Sequence, residues 1–155
     1  MAHETFQVGD LTAVIGDNED YDNRRYGYNG LHRLTHRTSP KSLFGVAGLN
    51  LEHIFDGDQD QRNLAGDKKI FFEPRNHPMT LTRISDSEAE LHQEPTPTYF
   101  LESWTRFKLV APHYIDMTFR CVPHQHVFRN GYIGLFWASM DSSALGCGPC
   151  VKPDG

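Results

Sequence analysis

The sequence lacks any apolar run long enough to cross a membrane, and its first ten residues hold neither a basic head nor an apolar stretch. It also lacks a basic stripe, since 15 lysines and arginines stand against 20 acidic residues for a net charge of −5. Such a balance disfavours a nucleic-acid partner. We therefore expect a cytoplasmic protein with neither a membrane nor a nucleic-acid partner.

Cysteine is scarce, and three residues are a poor basis for a disulfide framework. Cys121 lies in an apolar strand pattern and is expected to be a small core residue. Cys147 and Cys150 form Cys-Gly-Pro-Cys, the tetrapeptide of thioredoxin active sites. That chemistry needs a helix after the motif, but only five residues follow, and Pro153 is one of them. We interpret this tail as a site for a local disulfide or for adventitious metal.

Helical periodicity is almost absent as well, with weak candidates only at residues 43–50 and 59–64. Short aromatic and β-branched runs separated by Gly, Pro, Asn and Asp predict strands and loops. The clearest predicted strands cover residues 79–84, 88–93, 99–110, 114–122 and 127–140. This pattern predicts an all-β fold, an antiparallel β-sandwich or jelly roll with few short helices. Residues 1–140 form the predicted single domain, and 141–155 an irregular tail rich in Gly, Pro and Cys.

Two hairpins carry predicted registers. A turn at residues 85–87 pairs Ile84 with Ala89, which sets Arg83 opposite Glu90. A turn about Pro112 places three pairs on one polar face, namely Trp104 with Arg120, Arg106 with Thr118, and Lys108 with Asp116. The opposite face is apolar, and the predicted interior includes Phe107, Leu109, Ile115, Met117, Phe119, Ile133, Leu135 and Phe136.

The polar face of this second hairpin is the densest functional signal. Sugars present apolar C–H faces and rings of hydroxyls, which suit aromatic platforms bordered by planar side chains with paired donors or acceptors. We therefore predict that a carbohydrate or another small polar ligand binds Glu102, Trp104, Arg106, Asp116, Arg120, Arg75 and Asn29. Opposed charges across a ladder also stabilise a sheet without any function, and this interpretation stays open.

Acid–base chemistry on a sugar requires an imidazole that faces a carboxylate. The candidate acids are His53 and His92. The candidate bases are Glu52, Glu73 and Glu90.

Nine histidines make a metal site an alternative. His124 and His126 stand two apart after Pro123, and His92 or His113 would complete a divalent-metal site. A jelly-roll metal site also wants a Glu shortly after the histidine pair, and no Glu follows His126. We therefore favour no cofactor, and a metal-dependent oxygenase or hydrolase is the alternative function.

Several phrases resemble a group of uncharacterised bacterial proteins from planctomycetes and environmental samples. They are Tyr28-Asn29-Gly30-Leu31, Ala47-Gly48-Leu49-Asn50-Leu51-Glu52-His53, Phe71-Phe72-Glu73-Pro74-Arg75, Glu102-Ser103-Trp104-Thr105-Arg106-Phe107 and His113-Tyr114-Ile115-Asp116. That group is similar to the galactose-mutarotase-like β-supersandwich. The resemblance implies a sugar epimerase or mutarotase-like enzyme, or a glycan-binding remnant, in a shortened sandwich. No catalytic residue of that family is carried over to this chain.

A further alternative is a non-catalytic interaction domain whose polar sheet face meets another protein. An open sandwich of this size would also leave strand edges unpaired. Pairing in a homodimer is the usual remedy, and we expect one here.

Overall fold

The computed structural model describes residues 2–22, 27–56, 70 and 72–141. One sheet contains β1 (His3–Val8), β2 (Leu11–Gly16), β3 (Gly30–His36), β4 (Phe44–Phe55) and β9 (Gly134–Asp141). The other contains β5 (Met79–Arg83), β6 (Glu88–Gln93), β7 (Leu101–Val110) and β8 (Tyr114–Pro123). A short helix, α1 (Glu73–Asn76), precedes β5.

The strand orders are β1-β2-β3-β4-β9 in the first sheet and β5-β6-β7-β8 in the second. Every pairing between these strands is antiparallel. The predicted all-β antiparallel sandwich is confirmed.

The core lies where the inner faces of the two sheets meet. On β7 the burial alternates strictly, so that residues 101, 103, 105, 107 and 109 are buried. The main core cluster comprises Phe6, Leu11, Ala13, Ile15 and Leu31 from the first sheet, and Ala89, Leu91, Phe107 and Leu109 from the second. Because β7 buries its odd-numbered residues, its even-numbered side chains point outward.

The register predicted for the second hairpin is confirmed. Trp104 pairs with Arg120, Arg106 with Thr118, and Lys108 with Asp116. The turn between the strands, residues 111–113, holds a cis peptide bond before Pro112.

The residues predicted to be buried are confirmed on β7, but only in part on β8 and β9. Phe107 and Leu109 are buried and Ile115 packs against them, but Met117 is 41% exposed and Phe136 is 49% exposed. Those two predictions are wrong for different reasons. Met117 lies on the edge strand β8, whose inner side the facing sheet covers only in part. Phe136 follows Leu135, which packs against buried residues, so alternation along β9 points Phe136 to the opposite face. Partly buried positions are taken by Phe119, Cys121, Ile133 and Leu135. Burial raises the pKa of the Cys121 thiol.

The register predicted for the first hairpin is wrong by one residue. Arg83, not Ile84, pairs with Ala89, because the backbone amides of Ile84 and Ser85 both bond to the carbonyl of Glu88 and lengthen the turn. Arg83 therefore faces the inner side at the sheet edge. There it pairs with Glu4 at 3.0 Å and lies 4.4 Å over the ring of Phe6.

The weak helix prediction at residues 43–50 is also wrong, since residues 44–50 lie in β4. Gly48 has a φ of +65°, and a Cβ there would collide with the carbonyl oxygen of Leu31.

The predicted last strand is shorter than expected and starts at Gly134. Residues 59–64, Cys147 and Cys150 lie outside the described residues.

Replacing Phe107 with Ala is expected to lower the free energy of unfolding by about 3–5 kcal/mol, because its buried ring would leave a cavity. Met117 pairs directly with Phe107 but is exposed, so Met117→Ala should cost less than about 1 kcal/mol. Urea denaturation of both variants measures the difference. Equal losses would contradict the assignment of the core to β7.

Candidate functional site

The outward face of the second sheet, here called the polar face, carries most of the predicted site residues. Alternation on β6 and β7, together with the pairing of β8 with β7, brings them to one surface. The predicted residues on it are Glu90, His92, Glu102, Trp104, Arg106, Asp116 and Arg120.

One row of this face is built on Trp104. His92 on β6 and Arg120 on β8 are its direct cross-strand partners. The His92 ring stacks on the indole at 5.0 Å between centroids with an angle of 14°, and the Arg120 Cζ lies 3.7 Å from the ring centroid. Because β6 and β8 flank β7 on opposite sides, the two partners cover opposite faces of the indole. The row is therefore held in place by stacking and cation–π contacts.

The next row is built on Arg106. Its Nη2 and Nε donate to the same oxygen of Glu90 at 2.8 and 3.1 Å, and its Nη1 lies 3.4 Å from Glu88. The hydrogen bonds to Glu90 raise the pKa of Arg106 above its ordinary value. Thr118 lies across from it on β8. The guanidinium is thus fixed in orientation by two carboxylates of β6.

A groove of about 450 Å³ runs over these two rows. Its lining is formed by Glu90, Trp104, Arg106, Thr118 and Arg120. Asp116 is exposed one pair further along, opposite Lys108, and does not line the groove.

On the side of the Trp104 row away from Arg106, Glu102 lies between two imidazoles. His92 Nε2 is 2.8 Å from its Oε1, and His124 Nε2 is 2.6 Å from its Oε2. These hydrogen bonds, first that of His92 and then that of His124, lower the pKa of Glu102. Glu102 therefore stays ionised into acidic solution.

The metal ligands predicted from the sequence are only partly brought together. His92 and His124 share the carboxylate of Glu102, whereas His126 is exposed. His113 lies at the other end of β8 from His124, roughly 30 Å away along a ten-residue strand. The structure adds Glu94, whose carboxylate lies 3.8 Å from His92 Nδ1.

A second cluster forms on β4 around Glu52 and His53. The β4–β9 register shifts between Leu51 and His53, so Glu52 is an extra residue in the ladder. The two neighbouring side chains can therefore approach each other, with His53 Nε2 3.5 Å from Glu52 Oε1. Arg75 Nη1 is 3.7 Å from the same oxygen, and its guanidinium lies 4.3 Å over the ring of Tyr28.

The side chains of two other predicted residues form hydrogen bonds with the backbone. The Asn29 side chain bonds both the amide and the carbonyl of Leu51 and ties the start of β3 to β4. The buried Glu73 carboxylate accepts from the backbone amides of Thr98 and Tyr99. Both side chains are nearly fully buried, so their contacts are structural.

The sequence prediction missed Glu94, Thr118 and the pairing of Glu102 with His124. The sequence did hold a signal for the pairing of Glu102 with His124. The register about Pro112 extends to Leu101 opposite Pro123, which brings the residue after β8 to the start of β7.

Comparison with known proteins finds no matching family model, no matching curated protein and no matching solved structure. None of the described helices is long and apolar enough to span a membrane.

The lowered pKa of Glu102 predicts how the stability of the protein depends on pH. A carboxyl group whose pKa falls on folding stabilises the native state above its ordinary pKa, and this contribution is lost as the pH falls through the lowered value. Wild type should therefore exceed Glu102→Gln in stability at neutral pH, and the difference should vanish in acid. Urea denaturation across the pH range measures it.

A variant with both His92 and His124 replaced by Gln is the control. In this double variant, the effect of the further change Glu102→Gln on the free energy of unfolding should depend much less on pH. A difference that stays constant down to strongly acidic pH in the wild-type background would show that Glu102 is not held ionised by these histidines.

Proposed function

We propose that the protein binds a carbohydrate in the groove of the polar face. The observation that carries the proposal is the lining of that groove. Two guanidinium groups, a carboxylate, a hydroxyl and an indole converge there from three neighbouring strands. Side chains on hydrogen-bonded strands are held more precisely than side chains on loops, which lowers the entropic cost of binding.

The chemistry of the lining fits vicinal hydroxyls. Arg120 offers paired N–H donors, Arg106 offers the N–H groups that its bonds to Glu90 leave over, and Glu90 and Thr118 offer acceptors. His92 and Arg120 cover the faces of Trp104, so the indole presents its outward edge to the apolar C–H groups of a sugar.

The positive charge of Arg120 favours one class of carbohydrate ligand. Arg106 is already paired with Glu88 and Glu90, whereas Arg120 makes no ion pair with any described residue. A ligand carboxylate would supply that partner through a charge-assisted hydrogen bond. We therefore propose that acidic sugars such as uronic acids bind more tightly than their neutral parents.

Catalysis stays a prediction. Of the two predicted acids, His92 lies close to Glu102 and His53 lies close to Glu52. In an epimerase-like reaction each member of such a pair would contribute about 10²–10⁴-fold to the rate. The likeness to galactose-mutarotase-like proteins and the cytoplasmic location stay predictions as well.

A glycan array that includes uronic acids, followed by titration of the best ligand, tests the proposal. Arg120→Gln and Arg106→Gln should each weaken binding about 10- to 100-fold, because a hydrogen bond to a charged group is lost. Trp104→Ala should also weaken binding, since it removes the support of Arg120. An anomerisation assay on the same preparation tests for catalysis.

Lys108→Gln is the matched control, because Lys108 points outward on β7 but does not line the groove. It should bind as wild type does. Binding that survives the loss of Arg120 and Trp104 would place the site elsewhere. A panel with neither binding nor turnover would overturn the proposal and favour an interaction domain.

A homodimer also stays a prediction. Among the described strands, β8 and β9 are sheet edges, and each carries an exposed large apolar side chain, Met117 and Phe136. Sedimentation velocity at tens of micromolar should show a dimer, and Met117→Lys should weaken it. A monomeric wild type at that concentration would contradict the prediction.

A further inference from the structure

A compact group of possible metal ligands lies beside the groove but outside it. A ring nitrogen of His92 and carboxylate oxygens of Glu94 and Glu102 all lie within 4.8 Å of one another. Metal–ligand bonds of about 2.1 Å in tetrahedral geometry place neighbouring ligand atoms about 3.4 Å apart. One ion can bind only one nitrogen of the His92 ring. His92 Nε2 lies 2.8 Å from Glu102 Oε1, whereas Glu94 lies 3.8 Å from the other nitrogen, Nδ1. The Glu94 side chain is 73% exposed, so it can rotate toward an ion held by His92 and Glu102.

The backbone register explains why these residues meet. On β6 and β7, His92 pairs with Trp104 and Gln93 with Ser103. Glu94 is the residue after β6, and Glu102 precedes Ser103 on β7, so the two carboxylates lie close together. Neighbouring like charges repel each other. A cation between the two carboxylates would turn this repulsion into attraction.

The cluster is held by its surroundings. The His92 ring is stacked on Trp104, and the Glu102 side chain is only 17% exposed. His124 Nε2 bonds Glu102 Oε2 at 2.6 Å, which leaves the other oxygen to face His92. Carboxylates that bind metals are commonly oriented by such a second hydrogen bond.

We infer that His92, Glu94 and Glu102 form a binding site for one divalent transition-metal ion, with Zn²⁺ as the best match. One imidazole nitrogen and two carboxylate oxygens suit Zn²⁺, whereas Mg²⁺ and Ca²⁺ prefer oxygen ligands alone. His124 is a positioning residue that orients Glu102. None of the four residues lines the groove, so the inference does not depend on carbohydrate binding.

The test uses the full chain, prepared without an affinity tag and dialysed against chelator. Zn²⁺ is titrated in competition with a chromophoric chelator, and the visible spectrum of the Co²⁺ form reports the coordination. Wild type should bind one equivalent, and Mg²⁺ should not compete. Glu102→Gln and Glu94→Gln should each weaken Zn²⁺ binding by more than about 100-fold, because a charged ligand is lost, and His124→Gln by about 10- to 100-fold.

The variants separate a metal site from a structural ion pair. Glu94 is 73% exposed, so Glu94→Gln should fold normally even if changes at Glu102 do not. His124→Gln should weaken affinity and leave the shape of the Co²⁺ spectrum unchanged, as expected of a residue that is not a ligand. Glu88→Gln, on the same face of β6, should bind as wild type does. Failure of wild type to bind one equivalent, or wild-type affinity in Glu94→Gln, would overturn the inference.

Discussion

The packing of the inward row of β7 against the first sheet is the constraint on which the rest of the structure depends. Phe107 and Leu109 are buried in the main core cluster. Because side chains on a strand alternate between faces, this burial forces Glu102, Trp104 and Arg106 outward. A slip by one residue would place these three polar side chains in the core and expose the apolar ones. The stability of the core thus fixes the composition of the polar face.

The polar face divides into two neighbouring regions with different electrostatics. In the groove, carboxylates of β6 neutralise Arg106, and Arg120 stays without an ion pair among the described residues. Beside the groove, Glu94 and Glu102 concentrate negative charge around His92. The indole of Trp104 touches both regions, since it stacks with His92 and with Arg120. An anionic ligand therefore suits one region and a cation the other.

The parts of the fold that were predicted correctly depend on local pattern. Period-2 alternation identified β7 and β8, and the short turn about Pro112 set their register. The first hairpin was wrong by one pair because turn length depends on backbone hydrogen bonds of Ile84 and Ser85, which composition does not reveal. The exposed position of Met117 depends on β8 being a sheet edge, and this is a property of the topology.

The sequence by itself determined the antiparallel β class and the row of outward residues on β7, because alternation is a property of consecutive residues. Only the tertiary structure decided which of these residues meet. Glu102 and His124 are 22 positions apart and come together through the β7–β8 register, and Glu52 approaches His53 through an extra residue in the β4–β9 ladder. For the same reason, the Glu that bonds His124 lies before it in the chain, not after it. In an antiparallel sheet, the neighbour of a residue across the strands can come from earlier or from later in the chain. The hydrogen bonds between the strands, and not the spacing along the sequence, decide which side chains meet.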